Sequence, residues 1–305
     1  MESHPAIAID DILTAFRVFD GTYQREMVEA ALQRREEIVP RLIAILEEII
    51  ADPEGFLEQE DRFDHIYALM LLGHFKAASA HAAIVQVFSL KPELVDDLYG
   101  DHINEGLPVV LMRTCGDDHR HLRLMALDRS VNTYCRIAAV RAMAYAVVAG
   151  IADRQEVLTF ISSLFNGAAE EEDPDFLSFA AISILDLYPG EHMALIEKAY
   201  EDEVIFSGIV DLGSFQRALA EGKEQALARH RKELERYDLE DIHAAMSGWA
   251  CFNESDDWAA AAGPQDLIDS GLYGRPQPKV AKKNDQARKK SRRKQAKASK
   301  RKNRK

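Results

Sequence analysis

The densest group of chemically versatile side chains lies in residues 115–121, which contain Cys115, Asp117, Asp118, His119 and His121. Thiolate, carboxylate and imidazole groups are the ligands that transition metals such as zinc prefer. The spacing argues against one shared ion, because the two histidines would point about 200° apart on a helix. We therefore interpret the segment as a polar turn in which one of the two aspartates caps the next helix, with a metal site as the alternative.

A second polar cluster, residues 96–102, combines three carboxylates with a glycine. It lacks the alternating oxygen ligands and the closing glutamate of a calcium loop, so we interpret it as a solvated turn between helices. If the chain were an enzyme, carboxylates such as Asp97 and Asp101 would form an acidic site on a concave helical face. His65 and His74 are predicted to lie on one helix as hydrogen-bonded or surface histidines.

The common catalytic motifs are missing from the sequence. It contains no dinucleotide-binding glycine fingerprint, no phosphate-binding loop, no zinc-protease motif and no nucleophile elbow. We therefore predict no catalytic residue, no cofactor and no metal ligand, and keep an unfamiliar enzyme class as an alternative.

Helices must position these side chains, because apolar residues recur at three- and four-residue spacing along most of the chain. Clear stripes lie at residues 38–49, 66–72 and 157–165. Five glycines interrupt this pattern and suit the left-handed conformation just past a helix end: Gly73, Gly116, Gly150, Gly190 and Gly222. The sequence thus predicts five helical pairs: 62–72 with 76–89, 104–115 with 118–127, 136–149 with 153–165, 175–188 with 191–203, and 208–220 with 223–236.

Pairs of this length bury their apolar faces by stacking on one another, so we predict an all-α fold, an α-solenoid with a disordered C-terminal tail. An irregular helical bundle is the alternative. The predicted domains are a helical repeat domain over residues 1–255, an irregular end and linker over 256–278, and a disordered basic tail over 279–305.

Local signals agree with these limits. Pro92 and Pro174 each begin a helix, since proline is tolerated in the first helical turn. Asp153 is predicted to cap the helix that contains Glu156. Three aromatic residues are expected to cover the open end of the stack, with a binding face as the alternative: Trp249, Phe252 and Trp258.

The charge of the chain is distributed very unevenly. Residues 275–305 carry 16 Lys and Arg against one acidic residue, which leaves 22 basic and 50 acidic residues before them, a formal charge of −28 joined to one of +15. Such a basic block neutralises phosphates, which would give salt-sensitive binding to RNA or DNA, and contact with the acidic body is the alternative. The candidate polyanion contacts are Lys289, Lys290, Arg292, Arg293, Lys294, Lys297, Lys300 and Arg301.

Composition favours a cytoplasmic protein. The mean hydropathy is −0.25, and the longest charge-free apolar stretch, residues 142–152, is about half of the roughly 20 residues that a membrane span needs. The three cysteines are widely spaced and odd in number, which is typical of a reduced chain. The first residues lack the basic start and apolar stretch of a signal peptide.

Five segments carry a recognisable likeness: residues 71–77, 87–90, 96–101, 132–139 and 248–252. They resemble an uncharacterised bacterial family, domain of unknown function 1186, over about Asp10 to Phe252. The resemblance implies a fold of HEAT-like helical repeats and brings no catalytic residues. Some members end in a zinc motif similar to that of the SecA translocation motor. Asn284 and Asp285 are similar to its start, but no cysteine follows Cys251, so zinc is not implied here.

We therefore predict a non-enzymatic helical repeat protein that binds a macromolecule, a scaffold or adaptor with a protein partner. The basic tail would add electrostatic contact. Stacked helices expose extended grooves that accept peptides or helices. The alternatives are an RNA- or ribosome-associated factor that binds through the Lys/Arg tail, and an enzyme with an acidic concave-face site.

Overall fold

A computed structural model describes residues 7–59, 61–100, 102–166, 173–237 and 239–253. In these residues the chain forms 17 α-helices and no β-strand, and an isolated β-bridge joins Val18 to Arg62. The predicted all-α class is therefore confirmed. The linker and the basic tail lie outside the described residues, so the three-part division of the chain stays a prediction.

The helices follow one another through short connections. The first eight are α1 (Ile9–Arg17), α2 (Arg25–Leu32), α3 (Arg35–Ala51), α4 (Pro53–Leu57), α5 (Asp64–His74), α6 (His81–Phe88), α7 (Pro92–Tyr99) and α8 (His102–Glu105). The others are α9 (Leu107–Thr114), α10 (Arg120–Leu127), α11 (Thr133–Val148), α12 (Arg154–Ser163), α13 (Pro174–Asp186), α14 (Met193–Glu201), α15 (Leu212–Glu221), α16 (Lys223–Arg236) and α17 (Ile242–Ser247). The five predicted pairs correspond to α5–α6, α9–α10, α11–α12, α13–α14 and α15–α16.

Helix starts follow the sequence signals. Asp153 accepts a hydrogen bond from the Glu156 amide at 2.9 Å, and Asp173 accepts one from the Asp175 amide at 2.9 Å. Asp118 Oδ1 accepts the Arg120 amide at 3.0 Å, where α10 begins. Each bond satisfies a backbone donor that the first turn of a helix leaves unpaired. The predicted cap at Asp153 is confirmed, whereas α10 has His119 at its N-cap position with no side-chain cap hydrogen bond, so the predicted aspartate cap there is wrong.

Two of the five predicted turn glycines play a different part. Gly116, Gly150 and Gly222 have the expected positive φ angles, whereas Gly73 lies inside α5 and Gly190 begins a 3₁₀ turn. The left-handed residue after α5 is Lys76, at φ 51°. Gly73 is needed for packing, because a Cβ there would lie 2.8 Å from a Val110 methyl carbon and 2.9 Å from a Leu239 methyl carbon.

The core is built around two helices that are buried on nearly every side, α5 and α11. Helix α9 packs between them, and the row of neighbours continues from α11 to α13. Helices α6, α10 and α12 pack against this row. Neighbouring pairs therefore contact one another in chain order, as stacking of helix pairs requires. The solenoid of HEAT-like repeats itself stays a prediction.

The last helices depart from this nearest-neighbour order. Helix α16 packs against both α11 and α13, and α17 packs against α5, near the start of the row. His74 Nδ1 lies 2.7 Å from the Leu239 carbonyl oxygen, which fixes the returning segment to α5. The chain after α16 therefore runs back across the preceding helices.

Substitution of Gly73 by alanine should destabilise the protein. Alanine is the better helix former by about 1 kcal/mol, but its methyl group would overlap Val110 and Leu239, and overpacking costs about 1–3 kcal/mol. We expect a net loss of about 1 kcal/mol in urea unfolding. Gly248→Ala is the matched control, since a Cβ there meets no atom within 4 Å, and it should leave the stability unchanged or raised. Equal stability of the two variants would contradict the packing role.

Candidate functional site

A polar cluster lies inside the protein where α11, α13 and α16 meet. Asp186 ends α13, and α16 contributes His230 and Glu233 from adjacent turns. The side chains of Asp186 and His230 are 12% and 2% exposed, and that of Glu233 is 28% exposed. Charged and polar groups at such depth are costly unless they are paired, so their arrangement requires a physical account.

The imidazole of His230 is the centre of the cluster. Its Nδ1 atom lies 3.3 Å from Glu233 Oε2 and 3.7 Å from Asp186 Oδ2. The ring of Tyr145 stacks on the imidazole with centroids 4.9 Å apart and an interplanar angle of 19°. The stacked tyrosine fixes the plane of the imidazole, so Nδ1 is held towards both carboxylates.

The second oxygen of Glu233 is held from α11. Arg141 Nη2 donates to Glu233 Oε1 at 2.9 Å and to the Tyr145 hydroxyl at 2.7 Å, and that hydroxyl donates to Oε1 at 3.2 Å. Two donors therefore occupy Oε1 and leave Oε2 facing His230. The carboxylate of Glu233 is thus oriented by two side chains of α11.

The electrostatic environment shifts the pKa values of the two carboxylates in opposite directions. Burial raises the pKa of Asp186, because no described residue donates a hydrogen bond to it and the His230 contact is too long for one. Burial also acts against ionisation of Glu233, but the hydrogen bond with His230 and the charge of Arg141 lower the pKa of Glu233 overall. A neutral or charge-compensated state is therefore favoured at Asp186.

Chemically, the cluster is a set of one nitrogen and two oxygen donors whose ligand atoms lie within 4.8 Å of one another. Imidazole and carboxylate together suit zinc and related divalent transition metals. Sequence reasoning missed this set because Asp186 is far from α16 along the chain. The available signal was the spacing of His230 and Glu233, which places both on one face of a helix.

The segment 115–121 is a turn, as the sequence indicated. Cys115 follows α9, Asp118 binds Arg120, and His121 faces His81 with ring centroids 5.6 Å apart. Burial raises the pKa of the Cys115 thiol to about 11, which disfavours the thiolate that metal binding requires.

The segment 96–102 borders a hollow of about 400 Å³ beside α5 and α7. Asp96 Oδ1 accepts a hydrogen bond from the side-chain amide of Asn132 at 2.9 Å, which gives it a structural partner. Asp97 lines the hollow, whereas Asp101 lies outside the described residues. The acidic site of the enzyme alternative therefore stays a prediction.

The two histidines of α5 are hydrogen-bonded, as predicted. His65 Nε2 lies 2.8 Å from the Leu98 carbonyl oxygen, and His74 Nδ1 contacts the Leu239 carbonyl oxygen. Both therefore tie α5 to other parts of the chain.

The aromatic residues near the end of the described chain lie elsewhere than predicted. Phe252 contacts aromatic rings near the first helices and in α5: Phe19, Tyr23, Phe63 and Tyr67. The Trp249 ring contacts His102 in a tilted arrangement, with centroids 4.5 Å apart and an interplanar angle of 47°. The two residues thus cover the N-terminal half and not the end of the last pair, because the chain returns to α5. Trp258 lies outside the described residues.

A groove runs along α9 and consists of two adjoining hollows of about 380 and 400 Å³ that share Val109 and Glu235. Its apolar lining includes Met70, Val109, Met112, Val148, Ile151, Leu239 and Trp249. The returning segment and the end of α16 form one wall, and α9 forms the other. Ile151 and Tyr237 are 41% and 39% exposed at this groove, which is unusual for large apolar side chains.

The rim of the groove is charged. Glu240 lies 2.8 Å from Lys76 Nζ and 3.1 Å from Arg113 Nη1. Arg231 and Arg236, from α16, form no ion pair with a carboxylate among the described residues. The groove therefore combines an apolar floor with basic groups that are available to a partner.

The candidate polyanion contacts of the tail, Lys289 to Arg301, lie outside the described residues and stay predictions. Among the described helices, none is both long and apolar enough to cross a membrane.

The described part of the chain is all-helical and holds a buried histidine–carboxylate cluster and an apolar groove. Residues 7–253 match the model of the family described as Protein of unknown function (DUF1186), and the chain belongs to that family. An uncharacterized protein of Chlamydia trachomatis serovar D is 26% identical over 70% of this chain and 84% of its own length. An uncharacterized protein of Chlamydia muridarum is 27% identical over 70% of this chain and 85% of its own length. No solved structure matches the chain.

Lowering the pH should destabilise the fold through two buried histidines. Burial lowers the pKa of His65 and of His81 to about 4 each. The unfolded chain takes up these protons below its ordinary histidine pKa of about 6.5 while the folded chain does not, so stability falls from about pH 6.5 to about pH 4. We expect urea unfolding to lose at most about 2 kcal/mol per histidine between about pH 7 and pH 5.

The variant His65→Gln isolates one contribution, since the glutamine amide replaces the donor to the Leu98 carbonyl oxygen. Its loss of stability on acidification should be smaller than that of the wild type. His121→Gln is the comparison: it leaves the burial of His65 unchanged and removes a neighbour whose charge helps to lower the pKa of His81, so it should lose more stability on acidification than His65→Gln. If all three proteins lose equal stability, His65 is not the titrating group.

Proposed function

We propose that the protein is a non-enzymatic adaptor that binds an acidic protein segment in the groove along α9. The observation that carries this proposal is an apolar groove with two arginines, Arg231 and Arg236, that form no ion pair among the described residues, on a chain whose first 274 residues have a formal charge of −28. The lining of the groove holds four Lys and Arg against three carboxylates: Lys76, Arg113, Arg231 and Arg236 against Glu235, Glu240 and Asp241. Basic groups at a groove attract a negatively charged partner. The rest of the acidic surface repels such a partner, so binding is directed to the groove.

The dimensions of the groove suit a helix. Gly106 lines one hollow and Arg113 the other, and seven helical residues span about 10 Å. An amphipathic helix with apolar side chains at positions i and i+7 covers the same length and would place one anchor in each hollow. Acidic residues on its flanks would face Arg231 and Arg236.

The basic tail fits the same partner. A tail of formal charge +15 raises the rate at which an acidic surface is encountered, and this effect falls with added salt. RNA is the competing ligand for the tail, favoured by its density of lysine and arginine. Binding to a nucleic-acid backbone would use the basic tail but not the apolar lining of the groove. An acidic protein segment would use both the tail and the groove, so we favour a protein partner.

Blocking the groove should abolish partner binding. Ala244 is exposed on α17 at the groove, and Ala244→Trp would fill the adjoining hollow. We expect affinity purification of wild-type protein from bacterial lysate to recover a partner whose yield falls at least tenfold with this variant, since tenfold corresponds to about 1.4 kcal/mol. Ala220→Trp is the control, an exposed alanine on α15 away from the groove, and it should recover the wild-type amount.

A photo-crosslinking residue at Ala245, which also lines the groove, identifies the occupant. The proposal requires crosslinks to an acidic, amphipathic protein segment. Crosslinks to a basic segment or to RNA would contradict it, and so would equal recovery by the wild type and both tryptophan variants.

Removal of the tail should weaken polyanion binding without affecting the groove. A chain cut after Gly274 loses the basic block, so its retention on heparin at about 0.15 M salt should disappear, while the intact chain should show retention that falls steeply with salt. Ala244→Trp in the full chain should keep wild-type heparin retention. Unchanged retention after truncation would show that the tail is not the polyanion contact.

A further inference from the structure

We propose that Asp186, His230 and Glu233 bind a divalent transition metal ion of the zinc type. The ligand atoms would be an Asp186 carboxylate oxygen, His230 Nδ1 and Glu233 Oε2. The ion would join the end of α13 to α16 inside the protein. This site is separate from the groove along α9.

The distances between the donor atoms match those of a zinc site. With metal–ligand bonds of about 2.0–2.1 Å, the ligand atoms of a tetrahedral ion are about 3.3 Å apart. His230 Nδ1 lies 3.3 Å from Glu233 Oε2 and 3.7 Å from Asp186 Oδ2. All three ligand atoms lie within 4.8 Å of one another, so the two carboxylates would approach each other by at most about 1.5 Å to share one ion.

Groups around the ligands hold them ready. Arg141 and the Tyr145 hydroxyl occupy Oε1 of Glu233 and turn Oε2 towards the histidine, and the Tyr145 ring stacks on the imidazole. Neighbouring groups that orient ligands in this way are a regular part of protein metal sites.

The environment of the Asp186 carboxylate is an independent reason to expect a bound cation. Asp186 is 8% exposed as a whole residue and 12% exposed at its side chain, it is aimed at His230, and no described residue donates a hydrogen bond to it. A buried carboxylate without a donor costs free energy, and a cation between Asp186 and Glu233 removes that cost.

The orientation of the imidazole selects the ligand atom. Nε2 of His230 is buried and has no hydrogen-bond partner among the described residues, whereas Nδ1 is the ring nitrogen that faces both carboxylates. Nδ1 is therefore the nitrogen that would bind the ion.

The donor set limits the choice of ion. One imidazole nitrogen and two carboxylate oxygens favour zinc, cobalt, manganese or iron over magnesium and calcium, which take oxygen ligands. The exposed edge of Glu233 leaves room for a water molecule as a further ligand, since this side chain is 28% exposed.

The test uses the intact chain after removal of metals with a chelator. One equivalent of Zn²⁺ should bind per chain, and an excess of roughly 100 times the dissociation constant should raise Tm by roughly 5 °C or more. Co²⁺ should give the visible absorption bands of a tetrahedral nitrogen–oxygen site. No uptake and no shift of Tm would overturn the proposal.

Variants assign the site. Asp186→Asn and His230→Gln should each lose the Tm shift and lower the affinity at least tenfold, and Tyr145→Phe, which removes a group that orients Glu233, should lower it roughly tenfold. His121→Gln is the matched control, a histidine outside the cluster, and should bind as the wild type. Loss of uptake only in His121→Gln would place the metal at residues 115–121 and contradict the proposal.

If His230→Gln does not fold, Asp186→Asn still tests the proposal, because its Tm can be measured with and without metal. Removal of an unpaired buried charge should leave Tm of the chelated protein equal or higher, while Zn²⁺ no longer raises it. A variant that is less stable without metal and still gains the full Tm shift with Zn²⁺ would show that Asp186 is not a ligand.

Discussion

The polar side chains of α11 must find partners inside the protein, because this helix is surrounded by others on nearly every side. Arg136 lies with its guanidinium 3.8 Å from the centroid of the Phe176 ring and donates to the Ala126 carbonyl oxygen at 2.9 Å. Arg141 pairs with Glu233 of α16. A buried charge that loses its partner costs several kcal/mol, so α16 must lie where Glu233 reaches Arg141. The position of His230 follows from that pairing, because it lies one turn away on the same helix.

The return of the chain after α16 depends on a second close contact. Leu239 approaches α5 at Gly73, where any side chain would collide with it, and the neighbouring His74 binds the Leu239 carbonyl oxygen. This contact carries α17 to the N-terminal half, where Phe252 joins an aromatic cluster. The groove along α9 exists because the returning segment supplies its second wall, so a local glycine contact determines a surface that two distant parts of the chain share.

Helix α16 connects the two features that distinguish this protein. One face presents His230 and Glu233 to the interior, and the opposite side presents Arg231 and Arg236 to the groove. The helix is rich in basic residues on a chain that is otherwise acidic, which gives the groove a charge unlike its surroundings. Membership of a family of unknown function assigns no activity, so the physical character of these two places is what guides functional study.

The sequence by itself determined the all-helical class, the five helical pairs and most helix starts, because periodicity, proline and aspartate caps act within a few residues. It also determined the charge asymmetry and the family. It did not indicate that Gly73 serves packing, that Trp249 and Phe252 return to the first helices, or that Asp186 meets His230. Those features join residues more than 35 positions apart, and only the packing of buried helices, which has no local signature, decides which distant side chains meet.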